Sequence, residues 1–323
     1  MSTLPTQSVL ASYWIPQVGI GSQIVEVPLT NVLSYKLPNG QPQTNVIFLA
    51  SATFISSSAP YVSIPEAIVQ QMTLQPGQSQ TNVQQLQAAG IKVLLTLVGS
   101  NGFGWDGVSN PTDFAQWVQT NLIEAYGLDG IDIDNEFSNL PANPQNFMNT
   151  IGTLRSVLSQ SLITKALWSD QPYFQTPVAK GFPRAGAYLG QLLDFASSMA
   201  YGYAFARQIT FLQWYHNVKV NGVNVGMAWN QLAIGVQAGP PDQSWMTPIG
   251  EVYQLAKWCV SPASSTKLIP PILGMMLFTF PQDIQQFTFS PQNSPSKMFP
   301  NAADHQWQRT IIAGFLGEPQ PAD

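Results

Sequence analysis

Eight short runs of aliphatic and β-branched residues recur along the 323-residue chain, each followed by a segment with helical spacing. Strands that alternate with helices in this way form parallel sheets, because each helix crosses over from one strand to the next. The predicted strands are 8–14, 45–52, 92–98, 128–136, 164–170, 195–203, 231–237 and 272–280. Eight such units predict an α/β fold of the closed (β/α)8 barrel type, also called a TIM barrel.

The chain shows no internal repeat and no Gly/Ser-rich linker, so we expect a single domain that spans residues 1–323. The stretch 238–271, between the seventh and eighth predicted strands, contains one predicted helix near Val252–Cys259. We therefore expect a barrel without a large α+β insertion domain. Residues 281–300 are rich in Gln, Pro and Ser, and they form either a loop at the carboxyl ends of the strands or an ordinary surface loop.

The composition excludes several classes of partner. Only 9% of the residues are charged and the net charge is -5, so no basic patch can neutralise the phosphates of a nucleic acid. The single cysteine, Cys259, excludes an internal disulfide, and with only His216 and His305 the usual Cys/His zinc sets cannot form. No apolar run approaches the ~20 residues that span a bilayer, so we expect no membrane partner.

The amino terminus lacks a basic start followed by an apolar run, so no secretory signal is visible. Three locations stay open: inside the cell, outside after export by another route, or outside after removal of a signal segment.

An acidic residue stands at every second position near the end of the fourth predicted strand. Residues 129–136 read Asp-Gly-Ile-Asp-Ile-Asp-Asn-Glu. Successive side chains of a strand point to opposite faces, so Asp132, Asp134 and Glu136 share one face and the two isoleucines share the other. Three carboxylates on one face repel each other and resist desolvation, so the pattern indicates a site that uses carboxyl groups with raised pKa values.

The barrel places these groups where active sites form. Inward-pointing side chains reach the carboxyl ends of the strands, so we expect Glu136 at the rim and Asp134 and Asp132 progressively deeper. A protonated glutamate beside buried aspartates is the general acid that glycosidic cleavage needs. All three carboxyl groups come from one strand, which leaves no second carboxylate as a nucleophile across the sugar. We therefore expect the 2-acetamido group of the substrate to act as nucleophile, with Asp134 stabilising the positive nitrogen that forms.

A calcium or magnesium ion is the alternative occupant of such an acidic cluster. The spacing lacks the glycine and the distant glutamate of an EF-hand loop, so we expect neither a metal nor an organic cofactor. Unchanged activity after chelation would exclude a metal site.

The acidic ladder 129–136 closely resembles the DxxDxDxE signature of family 18 glycoside hydrolases, which include chitinases and endo-β-N-acetylglucosaminidases. The resemblance implies that Glu136 is the acid/base, that Asp134 contacts the acetamido group and that Asp132 supports Asp134. It also implies a structural role for Asp129.

Further segments extend the resemblance. Residues 90–99 and 102–105 are similar to the third strand and loop of the Endo H type of endo-β-N-acetylglucosaminidase, and residues 45–50 resemble its second strand. Met199-Ala200-Tyr201 resembles the Met-x-Tyr motif of the family, which implies that Tyr201 holds the acetamido carbonyl. The likeness covers roughly residues 8–280 at the level of the fold and is specific only over 44–136.

Several positions depart from the chitinase pattern. Thr96-Leu97-Val98-Gly99-Ser100 stands in place of Ser-x-Gly-Gly, Asn135 follows Asp134, and Gly202 replaces the aspartate that often follows the tyrosine. These departures favour a shallower site than that of a processive chitinase. The likeness of strands two and three to the Endo H type favours an enzyme that cuts the chitobiose core of N-glycans ahead of a chitinase acting on chitin or its oligomers. A catalytically silent sugar-binding relative is a third alternative, which the presence of Glu136 disfavours.

Aromatic rings suit sugars because the C–H surface of a sugar is apolar. Candidate sugar contacts near the predicted carboxyl ends of strands are Trp14, Trp105, Trp168, Tyr203 and Phe278, with Gln171 and Gln237 as polar candidates. Of these, Trp105 and Phe278 are best placed, and Phe278 stands where many chitinases have a tryptophan beneath the sugar. The alternative for each aromatic residue is packing in the core.

Overall fold

The computed structural model describes residues 8–20, 23–37, 39–239, 245–260, 272–284 and 306–321. Eight parallel strands form its central sheet: β1 Val9–Trp14, β2 Val46–Phe54, β3 Lys92–Val98, β4 Gly130–Asp134, β5 Leu162–Leu167, β6 Phe195–Ser198, β7 Leu232–Gln237 and β8 Gly274–Phe278. All eight predicted strands are therefore confirmed. Strands β4, β5, β6 and β8 end at Asp134, Leu167, Ser198 and Phe278, which lie two, three, five and two residues before their predicted ends.

The sheet closes on itself. Each strand pairs with its neighbours in chain order, and β1 pairs in parallel with both β8 and β2. The register aligns Ala11 with Met276 on one side and with Val46 on the other. Closure leaves no unpaired edge among these strands, and it brings their carboxyl ends together around one rim. The predicted (β/α)8 barrel is confirmed.

Helices connect the strands, and they are α1 Glu66–Met72, α2 Asn82–Ala88, α3 Pro111–Val118, α4 Pro144–Val157, α5 Gln171–Gln175, α6 Leu189–Leu192, α7 Phe205–His216, α8 Ile249–Val260, α9 Phe280–Ile284 and α10 Gln306–Leu316. Helices α3 and α4 begin as the sequence predicts. Asn110 and Asn143 accept hydrogen bonds from free backbone N–H groups, and a proline occupies the first turn of each helix.

Several shorter elements lie outside the eight-stranded barrel and its connecting helices. Strands Gln17–Ile20 and Gln23–Glu26 pair as a hairpin, as do Lys219–Val220 and Val223–Asn224, and Val62–Ser63 adds antiparallel to β2. Helix α3 continues as the π-helix Gln119–Glu124, and 3-10 helices lie at Leu29–Ser34, Trp105–Gly107 and Trp229–Gln231.

Two hydrophobic clusters hold the barrel together. The smaller one fills the interior and includes Val9, Ala11 and Tyr13 of β1. The larger one lies between the strands and the helices, and it includes Ile131 and Ile133 of β4. This division follows the alternation of side chains along each strand. It confirms that the two isoleucines face away from the carboxyl groups of β4.

Between β7 and β8, the described residues 245–260 contain helix α8, as the sequence predicts. The predicted loop 281–300 begins within α9, and its remainder, from residue 285, lies outside the described residues. In the part of the chain that the structure describes, no helix is long and apolar enough to cross a membrane.

Candidate active site

Asp132 lies inside the barrel, where hydroxyl groups from three strands surround it. Its Oδ2 accepts hydrogen bonds from Tyr13 Oη of β1 at 2.7 Å and from Thr96 Oγ1 of β3 at 3.1 Å. Its Oδ1 accepts one from Thr164 Oγ1 of β5 at 2.7 Å. Burial raises the pKa of Asp132, while the three hydroxyl groups and the nearby Lys165 ammonium act in the opposite direction. This network fixes the base of the ladder.

Asp134, one step closer to the rim, has a different environment. Its Oδ1 is buried and has no hydrogen-bond partner among the described residues. Burial, together with the nearby carboxyl groups of Glu136 and Asp132, raises the pKa of Asp134 to about 8. Asp134 is therefore mostly protonated at neutral pH. An unpaired buried oxygen is costly, and it is also a ready acceptor for a ligand N–H group.

Glu136 lies two residues beyond the end of β4 and is half-buried. Burial raises the pKa of Glu136, the Lys165 ammonium opposes this, and Asp170 adds to it. A Cβ atom at Gly99 would collide with the carbonyl oxygen of Glu136, so only glycine after β3 allows this backbone approach. A partly buried carboxyl group with a raised pKa is suited to general acid catalysis.

Asp106, which lies outside the ladder, fixes the segment that leads to Glu136. Asp106 Oδ2 accepts hydrogen bonds from Tyr173 Oη at 2.9 Å and from Asn135 Nδ2 at 3.2 Å. Asp106 Oδ1 accepts one from the backbone N–H of Asn143 at 2.8 Å, at the start of α4. Asp106 thereby joins the segments that follow β3, β4 and β5. Asn135, which departs from the chitinase pattern, has a structural role here.

Tyr201 lies just after β6 and is buried beside the ladder. Its ring stacks on Phe278 with centroids 5.7 Å apart, and Phe278 also contacts the ring of Tyr13 at 5.5 Å. Burial and the neighbouring Asp134 raise the pKa of the Tyr201 phenol well above its ordinary value. The phenol therefore stays protonated and can donate a hydrogen bond. The structure brings Tyr201 and Phe278 to the site, as the sequence predicts.

Trp14 and Trp105 were expected near the sugar, and the structure contradicts both expectations. Trp14 is 1% exposed and its indole N–H donates to the carbonyl of Val27, while Trp105 is fully buried and donates to the carbonyl of Leu97. Alternation along β1 directs Tyr13 into the barrel and Trp14 outward to the helices. Trp105 folds back onto β3 in a 3-10 turn. Both tryptophans belong to the core.

Three other predicted sugar contacts share one cleft. Trp168, Gln171 and Tyr203 line a cavity of about 320 Å³. The Trp168 and Tyr203 rings lie 5.9 Å apart, and the guanidinium of Arg207 lies 3.7 Å from the centroid of the Tyr203 ring. The cleft is therefore aromatic with one cation at its wall, an arrangement that suits the faces and hydroxyl groups of sugars.

Gln237 lies at the end of β7, in register with Phe278 of β8. It is half-buried, and its backbone N–H donates to Thr247 Oγ1 at 3.1 Å. The Thr247 hydroxyl in turn donates to the carbonyl of Tyr201 at 2.8 Å. Gln237 therefore lies within the network that holds the aromatic wall of the site.

Sequence reasoning missed a buried ion pair beside the ladder. Lys165 of β5 lies 2.9 Å from Asp170, and both residues are less than a tenth exposed. The other oxygen of Asp170 accepts hydrogen bonds from the Trp168 backbone N–H and from Tyr215 Oη. A lysine within an aliphatic strand was the available signal, because lysine is almost never fully buried unless it is paired. Tyr13, Thr96 and Thr164 were also missed, although each shares the inward face of its strand.

Comparison with known proteins shows which sequences and folds resemble this chain. No family model matches the chain. The sequence is 33% identical over 184 residues to an endo-β-N-acetylglucosaminidase of Flavobacterium sp. (strain SK1022), over 54% of this chain and 55% of that protein. It is 26% identical over 138 residues to chitinase 1 of Tulipa saxatilis subsp. bakeri, over 41% of this chain and 43% of that protein. The chain spans about half the length of these curated relatives.

Among solved structures, the fold matches that of a family 18 chitinase from Chromobacterium violaceum. The TM-score is 0.63 at 17% identity, over 96% of this chain and 83% of that one. The chain is therefore similar in sequence to an endo-β-N-acetylglucosaminidase and to a chitinase, and it shares its barrel fold with a family 18 chitinase. These similarities support the resemblance to family 18 glycoside hydrolases that the ladder 129–136 carries.

Proposed function

We propose that the protein is a glycoside hydrolase that cleaves the β-1,4 bond following an N-acetylglucosamine unit, with retention of configuration. The unpaired Oδ1 of Asp134 is the observation that carries this proposal. An acceptor without a partner, buried next to a general acid, fits the N–H group of a 2-acetamido sugar. A hydroxyl group alone would not explain three carboxyl groups on one side of the site.

In the first step, Glu136 donates its proton to the glycosidic oxygen as the bond between that oxygen and the anomeric carbon breaks. The acetamido carbonyl oxygen forms a bond to the same carbon and gives a bicyclic oxazolinium ion. Asp134 accepts the acetamido N–H through its unpaired Oδ1, and in the enzyme molecules that start with Asp134 ionised its carboxylate stabilises the positive charge of the ring. The phenol of Tyr201 donates a hydrogen bond to the acetamido carbonyl and orients it.

In the second step, Glu136 acts as a base. It takes a proton from a water molecule that attacks the anomeric carbon, and the carbon–oxygen bond of the oxazolinium ring breaks. The acetamido group is restored and Glu136 regains its proton. Two inversions at one carbon give net retention. Asp132 supports these steps indirectly, because its three hydroxyl partners fix the strand from which Asp134 projects.

For the substrate, we propose Phe278, Trp168 and Tyr203 as aromatic sugar contacts and Gln171 and Gln237 as polar ones. Trp14 and Trp105 are withdrawn from this set because both are buried in the core.

Between the two substrate classes, we propose that the protein acts within the chitobiose core of N-glycans. The support is the sequence match to a protein named endo-β-N-acetylglucosaminidase, which is longer and more similar than the match to a chitinase. Cleavage of chitin or its oligomers is the second candidate. We also propose that residues 1–323 form one catalytic domain, since the strands of one barrel run from Val9 to Phe278.

Parallel incubation with a high-mannose glycoprotein and with chitin oligomers separates the two candidates. Release of the glycan without oligomer cleavage supports the first, and the reverse result supports the second. Mass spectrometry identifies the bond that is cut, and NMR of the fresh product reports its anomeric configuration. Absence of hydrolysis in both incubations, with binding of either sugar, would instead support a catalytically silent sugar-binding protein.

Two variants test the role of the acid. Glu136→Gln keeps the shape of the side chain and removes its proton, and we expect a loss of at least about a hundredfold in kcat. Glu124→Gln is the matched control, because Glu124 is exposed at the end of the π-helix that precedes β4. Equal activity of the two variants would contradict the proposed mechanism.

A further inference from the structure

The Lys165–Asp170 pair is unusual in this chain. Lys165 is the only lysine or arginine that is buried among the residues the structure describes, at 2% exposure. Its ammonium lies 2.9 Å from Asp170 Oδ1 and also donates to the carbonyl of Ala166 at 2.8 Å. Burying an ion pair costs several kcal/mol per ion, and the attraction between its members often only offsets that cost. Stability alone is therefore a weak reason for the pair.

The position of the pair suggests another reason. Lys165 and Asp170 line a cavity of about 130 Å³, and Glu136 lines the same cavity together with Asn135 and Tyr173. The ammonium group, its carboxylate partner and the proposed acid thus face one small space. Within a partly dehydrated space, charges interact more strongly than they do in water.

Other ionisable groups interact with the ladder, with the pair or with Tyr173. They are Asp132 and Asp134 from β4, Tyr13 from β1, Tyr201 after β6, Asp106 after β3 and Tyr215 from α7. All of these groups are acids. Lys165 is the one described cation that acts on Asp132, Asp134 and Glu136, and it lowers the pKa of all three.

We propose that Lys165 and Asp170 are positioning residues for the carboxyl ladder, and that their opposed charges set how readily Asp134 and Glu136 release their protons. The inference rests on the proposed function, because that mechanism needs Glu136 protonated while Asp134 accepts the acetamido N–H. Without Lys165, four neighbouring carboxyl groups resist ionisation and Asp134 keeps its proton. Without Asp170, the uncompensated ammonium favours ionisation of both groups, and Glu136 loses the proton that it must donate.

The two members of the pair therefore have opposite effects on the pKa values of Asp134 and Glu136. Asp170 raises the pKa of Asp134 and of Glu136, and Lys165 lowers both. Lys165→Met should shift both titrations to higher pH, and Asp170→Asn should shift both to lower pH. A purely structural role does not predict opposite shifts from two members of one ion pair.

Carboxyl ¹³C NMR titration measures these shifts in the full chain without any substrate. Labelled aspartate and glutamate give the signals, and Asp134→Asn and Glu136→Gln assign them. The matched control is Lys92→Met. Lys92 pairs with Asp129 at 3.0 Å at the amino-terminal ends of β3 and β4, away from the ends that lead to Asp134 and Glu136. We expect no shift in this control. If Lys165→Met does not fold, Asp170→Asn and the double variant Lys165→Met with Asp170→Asn still test the proposal.

Activity provides the second measurement. One pH unit is a tenfold change in the ratio of ionised to protonated acid. We therefore divide kcat/KM at pH 5 by kcat/KM at pH 8 for each protein. We expect Lys165→Met and Asp170→Asn to change this ratio roughly threefold or more, in opposite directions. Titrations that coincide in wild type and in all folded pair variants would overturn the inference. A wild-type protein that hydrolyses neither substrate class would overturn the proposed function, while opposite NMR shifts would still show that the pair acts on the ladder.

Discussion

Asp134→Asn should make the protein more stable near neutral pH while it impairs catalysis. Asp134 carries a buried oxygen without a partner, and burial beside Glu136 and Asp132 raises its pKa from 3.8 to about 8. In the unfolded chain the same carboxyl group ionises near pH 4. Between these two values, unfolding releases a proton from Asp134, so a rise in pH favours the unfolded state. Asparagine has no proton to release.

The size of the effect follows from the shift. Slightly more than three pH units separate 3.8 from neutral pH, and about 1.4 kcal/mol per unit gives roughly 4 kcal/mol at pH 7. Asp134 is partly exposed, and solvent screening lowers this figure, so we expect a gain of about 2–4 kcal/mol. The gain should vanish near pH 4, where the group is largely protonated in both states, and it should stop growing above pH 8.

Thermal unfolding at several pH values tests whether Asp134→Asn stabilises the fold and whether that gain depends on pH. We expect Asp134→Asn to raise the melting temperature at pH 7 by about 3–6 °C, with little change at pH 4. The control is Asp129→Asn, because Asp129 accepts hydrogen bonds from Lys92 Nζ, the Val93 backbone N–H and Gln87 Nε2. We expect that variant to melt lower than wild type. An Asp134→Asn variant that melts no higher than wild type at pH 7, or whose gain is the same at pH 4, would refute the reasoning.

The remaining predictions concern Tyr13 beside the ladder, Trp105 in the core and Phe278 in the site. Tyr13→Phe removes a hydrogen bond to Asp132. We expect kcat to fall by about tenfold, because a hydrogen bond to a charged group contributes about 1.5–3 kcal/mol. An unchanged kcat would show that this contact has no part in catalysis. Trp105→Ala should lower the free energy of unfolding by about 3–5 kcal/mol with KM unchanged, whereas Phe278→Ala should raise KM roughly two- to tenfold. Denaturant titration and steady-state kinetics measure these effects. The reverse pattern would contradict the assignment of Trp105 to the core and of Phe278 to the sugar site.

The eight strands were predictable because parallel strands of a barrel are buried on both faces and read as short aliphatic runs. The same-face position of Asp132, Asp134 and Glu136 was predictable because the period of two along a strand admits no other arrangement. The exact end of β4 was not, since a strand boundary depends on pairing with neighbours. The structure ends the strand at Asp134.

The aromatic residues show where sequence reasoning was incomplete. Trp14 was chosen for its place at the end of a strand, but alternation from Val9 and Ala11 would have selected Tyr13 as the inward residue. Trp105 lies in a loop, where no period applies, and only tertiary packing decides that it is buried.

The ion pair could not be derived from the sequence, because its partners belong to different parts of one β/α unit. Lys165 was visible as a charge within an aliphatic strand, but Asp170 was predicted only as the last residue of that strand. In the structure β5 ends at Leu167, and the turn that follows brings the Asp170 carboxylate back to the ammonium group. Spatial proximity across a turn needs coordinates.

The proposed mechanism is tested most directly by a thiazoline analogue of the oxazolinium intermediate. Calorimetry measures its binding to the wild type and to Asp134→Asn, with Asp113→Asn as a charge-matched control on the exposed first turn of α3. We expect competitive inhibition and tight binding to the wild type and to the control, and binding to Asp134→Asn that is weaker by about tenfold or more, because a charge-assisted hydrogen bond is lost. Equal affinity for all three proteins, or no binding at all, would contradict a substrate-borne nucleophile held by Asp134.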